Sequence, residues 1–147
     1  EAAVYQKLAG TPYYPAFFEG GEGYIVIEYI EGETIFNCLV KGIELTENLV
    51  VEVDRAIEIA RERGLYPSDV HLRNILLTPS GNIRLIDVAR FANKKEDRQW
   101  EDLKRAFYTL YQKPFFPKQL PASLLDAVGR WYVEGRFPFY RQAKEKV

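Results

Sequence analysis

Methionine is absent from all 147 residues, and cysteine and histidine occur once each. A chain that opens Glu-Ala-Ala-Val without methionine is not a complete, unprocessed translation product, so further residues are expected upstream of Glu1. The lone Cys38 excludes an intrachain disulfide, fits a reducing compartment and reads as a small core residue. One cysteine with one histidine excludes the ligand sets of ordinary zinc sites within the chain. No apolar run approaches the roughly 18 residues that cross a bilayer, and the start lacks a signal pattern; a cytoplasmic protein without a membrane partner is expected. An excess of one charge is missing too. Twenty basic against 21 acidic side chains, net −1, argues against a nucleic-acid partner held by general phosphate attraction.

What is present suffices for one core: 47% of residues are hydrophobic. Charge is uneven along the chain. Residues 1–35 carry Glu1, Glu19, Glu22, Glu28, Glu31 and Glu33 against Lys7, whereas residues 130–147 are basic and read as a solvated helix end. Val4, Tyr5 and Leu8 recur at helical spacing, predicting a helix over 1–9 that stops at Gly10 and Pro12. Phe17–Glu19 and Tyr24–Ile30 flank a Gly20-Gly21-Glu22-Gly23 turn and predict a hairpin. A short helix follows over 33–40. Thr46 is placed to cap a long helix ending at Arg63-Gly64, with Leu49, Val53, Ala56, Ile57 and Ala60 on one face. Later, Trp100, Leu103, Phe107, Leu110 and Tyr111 mark a helix near 97–111, and Leu124, Leu125, Val128, Trp131 and Tyr132 mark another from Pro121. Phe115-Phe116 and Trp131-Tyr132 read as core. The predicted fold class is α+β.

The stretch Asp69 to Asp87 concentrates the polar candidates. Two short apolar runs flank Pro79-Ser80-Gly81-Asn82, predicting an antiparallel hairpin with Thr78 opposite Ile83, Ile75 opposite Ile86 and Asn74 opposite Asp87. Directly opposed residues lie about 4.5–5.5 Å apart on one face, so an amide and a carboxylate would converge at the open end. Such a pair suits Mg²⁺, which takes one or two protein oxygens and completes its shell with water and phosphate. Asp69 would then stand beside the metal as a base.

At Asp69, Asn74 and Asp87 the chain resembles the protein-kinase-like superfamily, whose catalytic loop runs Asp-x-x-x-x-Asn and whose metal-binding Asp follows a short hairpin. Glu28-Tyr29-Ile30-Glu31-Gly32 resembles the hinge, the helix from Thr46 to Arg63 the one before the catalytic loop, and Glu1 the glutamate of the N-lobe helix. The resemblance implies a partial N-lobe over 1–30 and a C-lobe over 31–147, with ATP and Mg as cofactors. It also implies that Asp69 orients the acceptor hydroxyl and takes its proton while Asn74 and Asp87 hold the metal. The backbone of Glu28 and Ile30 would meet the adenine edge, Leu76 would lie under the ring, and Ile27 at the back of the pocket.

Departures from the common pattern narrow the subtype. Tyr66-Pro67-Ser68-Asp69 lacks His-Arg before the Asp, Asp87-Val88-Ala89 replaces Asp-Phe-Gly, and about a dozen residues separate Asp87 from the next helix. His71 is similar to the histidine of aminoglycoside- and choline-kinase-like sequences and is a candidate for a γ-phosphate contact, with a structural hydrogen bond as the other reading. Glu101-Asp102-Leu103-Lys104-Arg105-Ala106-Phe107 resembles the helix of Rio-like and Kae1-associated small kinases, which implies that Asp102 braces the catalytic loop. The chain thus resembles an atypical minimal serine/threonine-type or lipopolysaccharide-kinase-like enzyme. Its acceptor is expected to be a hydroxyl-bearing protein or small molecule. The glycine-rich loop and phosphate-holding lysine of the family are not found in these residues, which leaves two further readings: a weakly active form, or a binding or scaffolding pseudokinase. The exposed strand edges of a partial N-lobe also make self-association an expectation.

Overall fold

The computed structural model describes residues 2–134. Glu1, and with it the expected N-lobe glutamate, lies outside the described residues, as do 135–147 with most of the basic tail. Helix α1 (Ala2–Lys7) buries Val4 and Tyr5. Strands β1 (Phe17–Gly21) and β2 (Tyr24–Ile27) form a two-stranded hairpin, with Gly21 opposite Tyr24 across Glu22-Gly23. The predicted second strand therefore ends three residues early. Glu28 still donates its N–H to Ala16 O at 2.8 Å, but Tyr29 leaves the sheet almost fully exposed.

A second sheet follows, built from β3 (Glu33–Thr34), β4 (Ile75–Leu77) and β5 (Ile83–Leu85) in that spatial order, all antiparallel. The chain must pass close beneath β4 to enter β3. A Cβ at Gly32 would lie 2.7 Å from Leu77 O, so only glycine fits there. Helix α2 (Ile35–Lys41) begins two residues later than predicted because Thr34 caps it, its Oγ1 accepting from Asn37 N–H at 3.0 Å. Helix α3 (Glu47–Glu62) matches its prediction. Thr46 Oγ1 accepts from Leu49 N–H at 3.3 Å, and Leu49, Val50, Val53, Ala56, Ile57 and Ala60 are all buried.

Helix α4 (Gln99–Ala106) continues into a wider π turn over Phe107–Tyr111, closed by Gln112 N–H on Phe107 O. That turn stacks the Phe107 and Tyr111 rings at 5.4 Å. The Tyr111 hydroxyl accepts from Leu45 N–H at 2.7 Å. Helix α5 (Ala122–Val133) forms where predicted, yet none of its residues is buried. Phe115, at 79% exposure, and Trp131, at 47%, overturn their reading as core; Phe116 does pack against the core. Cys38 is fully buried, as expected of a small core residue.

The hairpin of β4 and β5 carries a correction of one residue. Ile75 pairs with Leu85 and Leu77 with Ile83, so Ile75 does not face Ile86 and Thr78 does not face Ile83. The cause is the turn. Thr78 N–H donates to Asn82 O at 2.8 Å, leaving a three-residue loop, Pro79-Ser80-Gly81, in which Gly81 takes the left-handed conformation at φ +87°. Asn82 belongs to the ladder rather than the turn, and every pair beyond it shifts by one. Asn74 consequently faces Ile86, whose N–H donates to Asn74 O at 3.0 Å, and not Asp87.

Candidate functional site

Asp87 reaches the open end of the hairpin by a different route from direct pairing. Asp69 (φ 59°) and Asp87 (φ 57°) are the two non-glycine residues with left-handed backbone among the described residues. Each bends its strand or loop back on itself. Non-glycine residues hold this conformation at about 1–2 kcal/mol each, and aspartate tolerates it better than most. Despite the shifted register, Asp69, Asn74 and Asp87 line one narrow crevice with Ile86, Val88 and Phe91.

Hydrogen bonds aim the polar groups. Asn74 is buried, and its Nδ2 donates to Asp69 O at 2.9 Å. Fixing the amide nitrogen in this way leaves Asn74 Oδ1 without a hydrogen bond among the described residues. Asp87 is exposed, and its carboxylate makes no hydrogen bond or ion pair there. An amide oxygen and a carboxylate are of the type that Mg²⁺ accepts, with water and phosphate to supply the remaining positions, and both residues line the same crevice. No cluster of three or more His, Cys, Asp or Glu occurs among the described residues, so a dense cage for a softer metal is not built.

His71 sits between Asp69 and Asn74. Its Nδ1 accepts from Arg73 N–H at 3.2 Å, while Nε2 lies 3.2 Å from Asn74 Nδ2 and 3.5 Å from Asp69 Oδ1. With Nδ1 accepting, the neutral ring carries its proton on Nε2, beside the Asp69 carboxylate; the other tautomer, protonated on Nδ1, lets Nε2 accept from Asn74 at the loss of the Arg73 contact. On the other side of Asp69, Arg90 Nε lies 4.0 Å from Oδ2.

The bond that holds the loop comes from a residue the sequence reading passed over. Asp97 Oδ2 accepts from Asp69 N–H at 2.8 Å, while its Oδ1 accepts from Gln99 N–H at 3.1 Å and so starts α4. Arg61 on α3 grips the neighbouring Glu96 at 2.7 and 3.0 Å, which pins this segment to the long helix. Asp102, expected in the bracing role, is buried on α4; its Oδ2 accepts from the Tyr132 hydroxyl at 2.9 Å, and Oδ1 has no hydrogen-bond partner among the described residues. The available signal for Asp97 was an acidic residue just ahead of an apolar helical pattern, the mark of a helix start.

The four remaining candidates lie elsewhere. Ile27, Glu28, Ile30 and Leu76 do not line the polar cleft. Leu76 is buried in the middle strand, opposite Thr34 on one side and Arg84 on the other. Ile27 packs against the core. The Glu28 carboxylate accepts from Arg84 Nη2 at 2.8 Å and from Ala16 N–H at 3.1 Å. These bonds hold the Glu28 carboxyl below its usual range. Ile30 makes no hydrogen bond through its N–H or C=O among the described residues, and both remain available to a ligand edge.

Comparison with known proteins fits this geometry. No family model matches the chain. Over 147 aligned residues it is 47% identical to the "Putative serine/threonine-protein kinase YrzF" of Bacillus subtilis, with 99% of the chain and 68% of that protein covered. It is 30% identical over 95 residues to the "Probable cAMP-dependent protein kinase catalytic subunit" of Encephalitozoon cuniculi, covering 59% of the chain and 30% of that protein. Against serine/threonine-protein kinase PknA of Mycobacterium tuberculosis the identity is 33% over 73 residues, 47% of the chain and 17% of that protein. The chain belongs to the serine/threonine protein-kinase-like family.

Proposed function

We propose that the chain carries the acceptor- and metal-binding side of an ATP- and Mg-dependent phosphotransferase acting on a hydroxyl group. The observation that carries this reading is the pair of left-handed aspartates, Asp69 and Asp87, brought to one cleft with Asn74. Strain retained at two carboxylates that share a site is more readily explained by chemistry than by packing. Asp69 orients the acceptor hydroxyl and takes its proton, held in place by Asp97 behind its backbone. Asn74 Oδ1 and the Asp87 carboxylate would hold Mg²⁺, which when bound would supply charge neutralisation to the transferred phosphate. His71, between them, is placed to donate a hydrogen bond to a phosphate oxygen when Nε2 is protonated.

The chain opposite this cleft completes the reading. Residues 1–30 form part of an N-lobe and residues 31–147 the C-lobe, with the adenine edge meeting Glu28 and Ile30, and Ile27 and Leu76 contributing apolar contact. Eleven residues separate Asp87 from α4, and four of them form a tight 3-10 turn at Ala89–Ala92. That leaves no room for a long peptide-docking segment and favours an atypical, minimal kinase. Among the described residues, no helix is long and apolar enough to cross a membrane.

The test is transfer from γ-labelled ATP by the full-length protein with Asp69→Asn and Asp87→Ala. Each substitution is expected to lower transfer by about 10²-fold or more. Wild-type rates in both variants would overturn the assigned roles. Thermal stabilisation by MgATP that survives Asp69→Asn but not Asp87→Ala would separate the metal ligand from the base. MgATP binding without any transfer would favour the pseudokinase reading.

A further inference from the structure

Arg84 lies on β5, three residues before Asp87, and its side chain crosses to the other half of the molecule. Its Nη2 donates to Tyr14 O at 2.7 Å and to Glu28 Oε1 at 2.8 Å. The neighbouring Leu85 N–H donates to Tyr13 O at 2.7 Å, and the Tyr14 hydroxyl donates to Ala56 O on α3 at 2.7 Å. The segment Tyr13–Ala16 is therefore bonded at once to β5, to the long helix and, through Ala16, to Glu28. Among the described residues, Arg84 is the one side chain that hydrogen-bonds both this segment and the Glu28 carboxylate just past β2. Its Nε is buried with no hydrogen-bond partner among the described residues, so the guanidinium is not satisfied for its own sake.

We propose that Arg84 is a positioning residue that ties the Glu28–Ile30 connector to the strand leading into Asp87, so that the adenine edge and the metal ligand keep a fixed separation. This rests on the nucleotide site proposed above. A lysine at this position would present a single point charge, whereas the guanidinium is rigid and planar. Leu76 lies directly opposite Arg84 in the ladder and projects from the same face, so the tie passes beside the surface proposed to meet the adenine ring. Contacts to the adenine edge are made equally before and during phosphoryl transfer, so a tether that fixes them acts on the affinity for ATP.

The experiment combines ATP kinetics with hydrogen exchange at the Glu28 amide, which is bonded to Ala16 O, in Arg84→Met, Arg84→Lys and Glu28→Gln. Arg84→Met and Glu28→Gln are each expected to raise KM for ATP about tenfold with kcat changed less than twofold, as for the loss of one charge-assisted hydrogen bond. Arg84→Lys is expected to recover part of this loss. The Glu28 amide should exchange about tenfold faster in both, with α3 amides unchanged. Unchanged exchange at Glu28 overturns the tether whether or not the protein transfers phosphate. Faster exchange with an unchanged KM overturns the positioning role. A wild-type protein that transfers nothing overturns the nucleotide reading, while the exchange result still decides the tether. Should Arg84→Met fail to fold, Glu28→Gln carries the same comparison.

Discussion

The open end of the β4–β5 hairpin and the inner side of α5 are built on opposite plans. At the hairpin, three polar residues line a narrow crevice, and they are fixed by Asp69 N–H donating to Asp97, Asn74 Nδ2 to Asp69 O and Ile86 N–H to Asn74 O. At α5, an apolar groove of about 840 Å³ runs between the helix, which contributes Leu125, and the residues Leu49, Trp100 and Phe107, and no residue of the helix is buried. The polar region spends backbone strain to aim a few atoms. The apolar region has area and little aim. The difference is one of aim: directional hydrogen bonds fix individual atoms, whereas apolar contact is non-directional and scales with area.

This contrast can be tested by substitution, beginning with the largest effect. Val53→Ala, at a fully buried position on α3, is expected to cost about 2–3 kcal/mol in urea unfolding, whereas Val133→Ala at the end of α5 should cost less than about 0.5 kcal/mol. Equal losses would show that α5 packs as tightly as α3. Asp97→Ala removes the acceptor behind Asp69 N–H and should cost about 1.5–3 kcal/mol by the same assay. A loss within error would show that the loop is held by other bonds. Thr46→Ala, which deletes the cap of α3, is expected to cost about 1 kcal/mol.

The smallest effect is one of pH. Because Arg84 and Ala16 hold the Glu28 carboxyl below its usual range, the folded state binds its proton more weakly than the unfolded chain does. The stabilisation is present above the unfolded carboxylate pKa and is lost as pH falls through the lower, folded value. Glu28→Gln should remove this part of the acid-side slope, in a comparison of urea midpoints from neutral to acid pH. An unchanged slope would show that the pair makes no net contribution at this half-exposed position.

Much of the fold was legible because it is local. The α3 pattern carried its own cap at Thr46, its own stop at Gly64 and five apolar residues on one face, and all three features appear in the structure. The hairpin was legible as a hairpin, but its register was not, since a four-residue turn and a three-residue turn differ only in whether Asn82 joins the ladder. Phe115 and Trp131 had apolar character without a neighbour in the sequence to cover them. Among the site candidates, Asp69, Asn74 and Asp87 were singled out by spacing and by the family resemblance, although the pairing expected of Asn74 and Asp87 was off by one residue. Asp97 was missed because its partner, the Asp69 N–H, is 28 residues away.

The amino-acid sequence by itself determined most of which stretches become helix or strand, and singled out Asp69, Asn74 and Asp87 as candidates, because side-chain type, periodicity and capping act over a few residues. Tertiary structure alone decided how those residues meet. It shifted the hairpin by one pair, bent the chain at Asp69 and Asp87, and joined Glu28 to Arg84 across 56 positions. Such contacts follow from backbone geometry and from the packing of distant segments, neither of which is written in any local pattern.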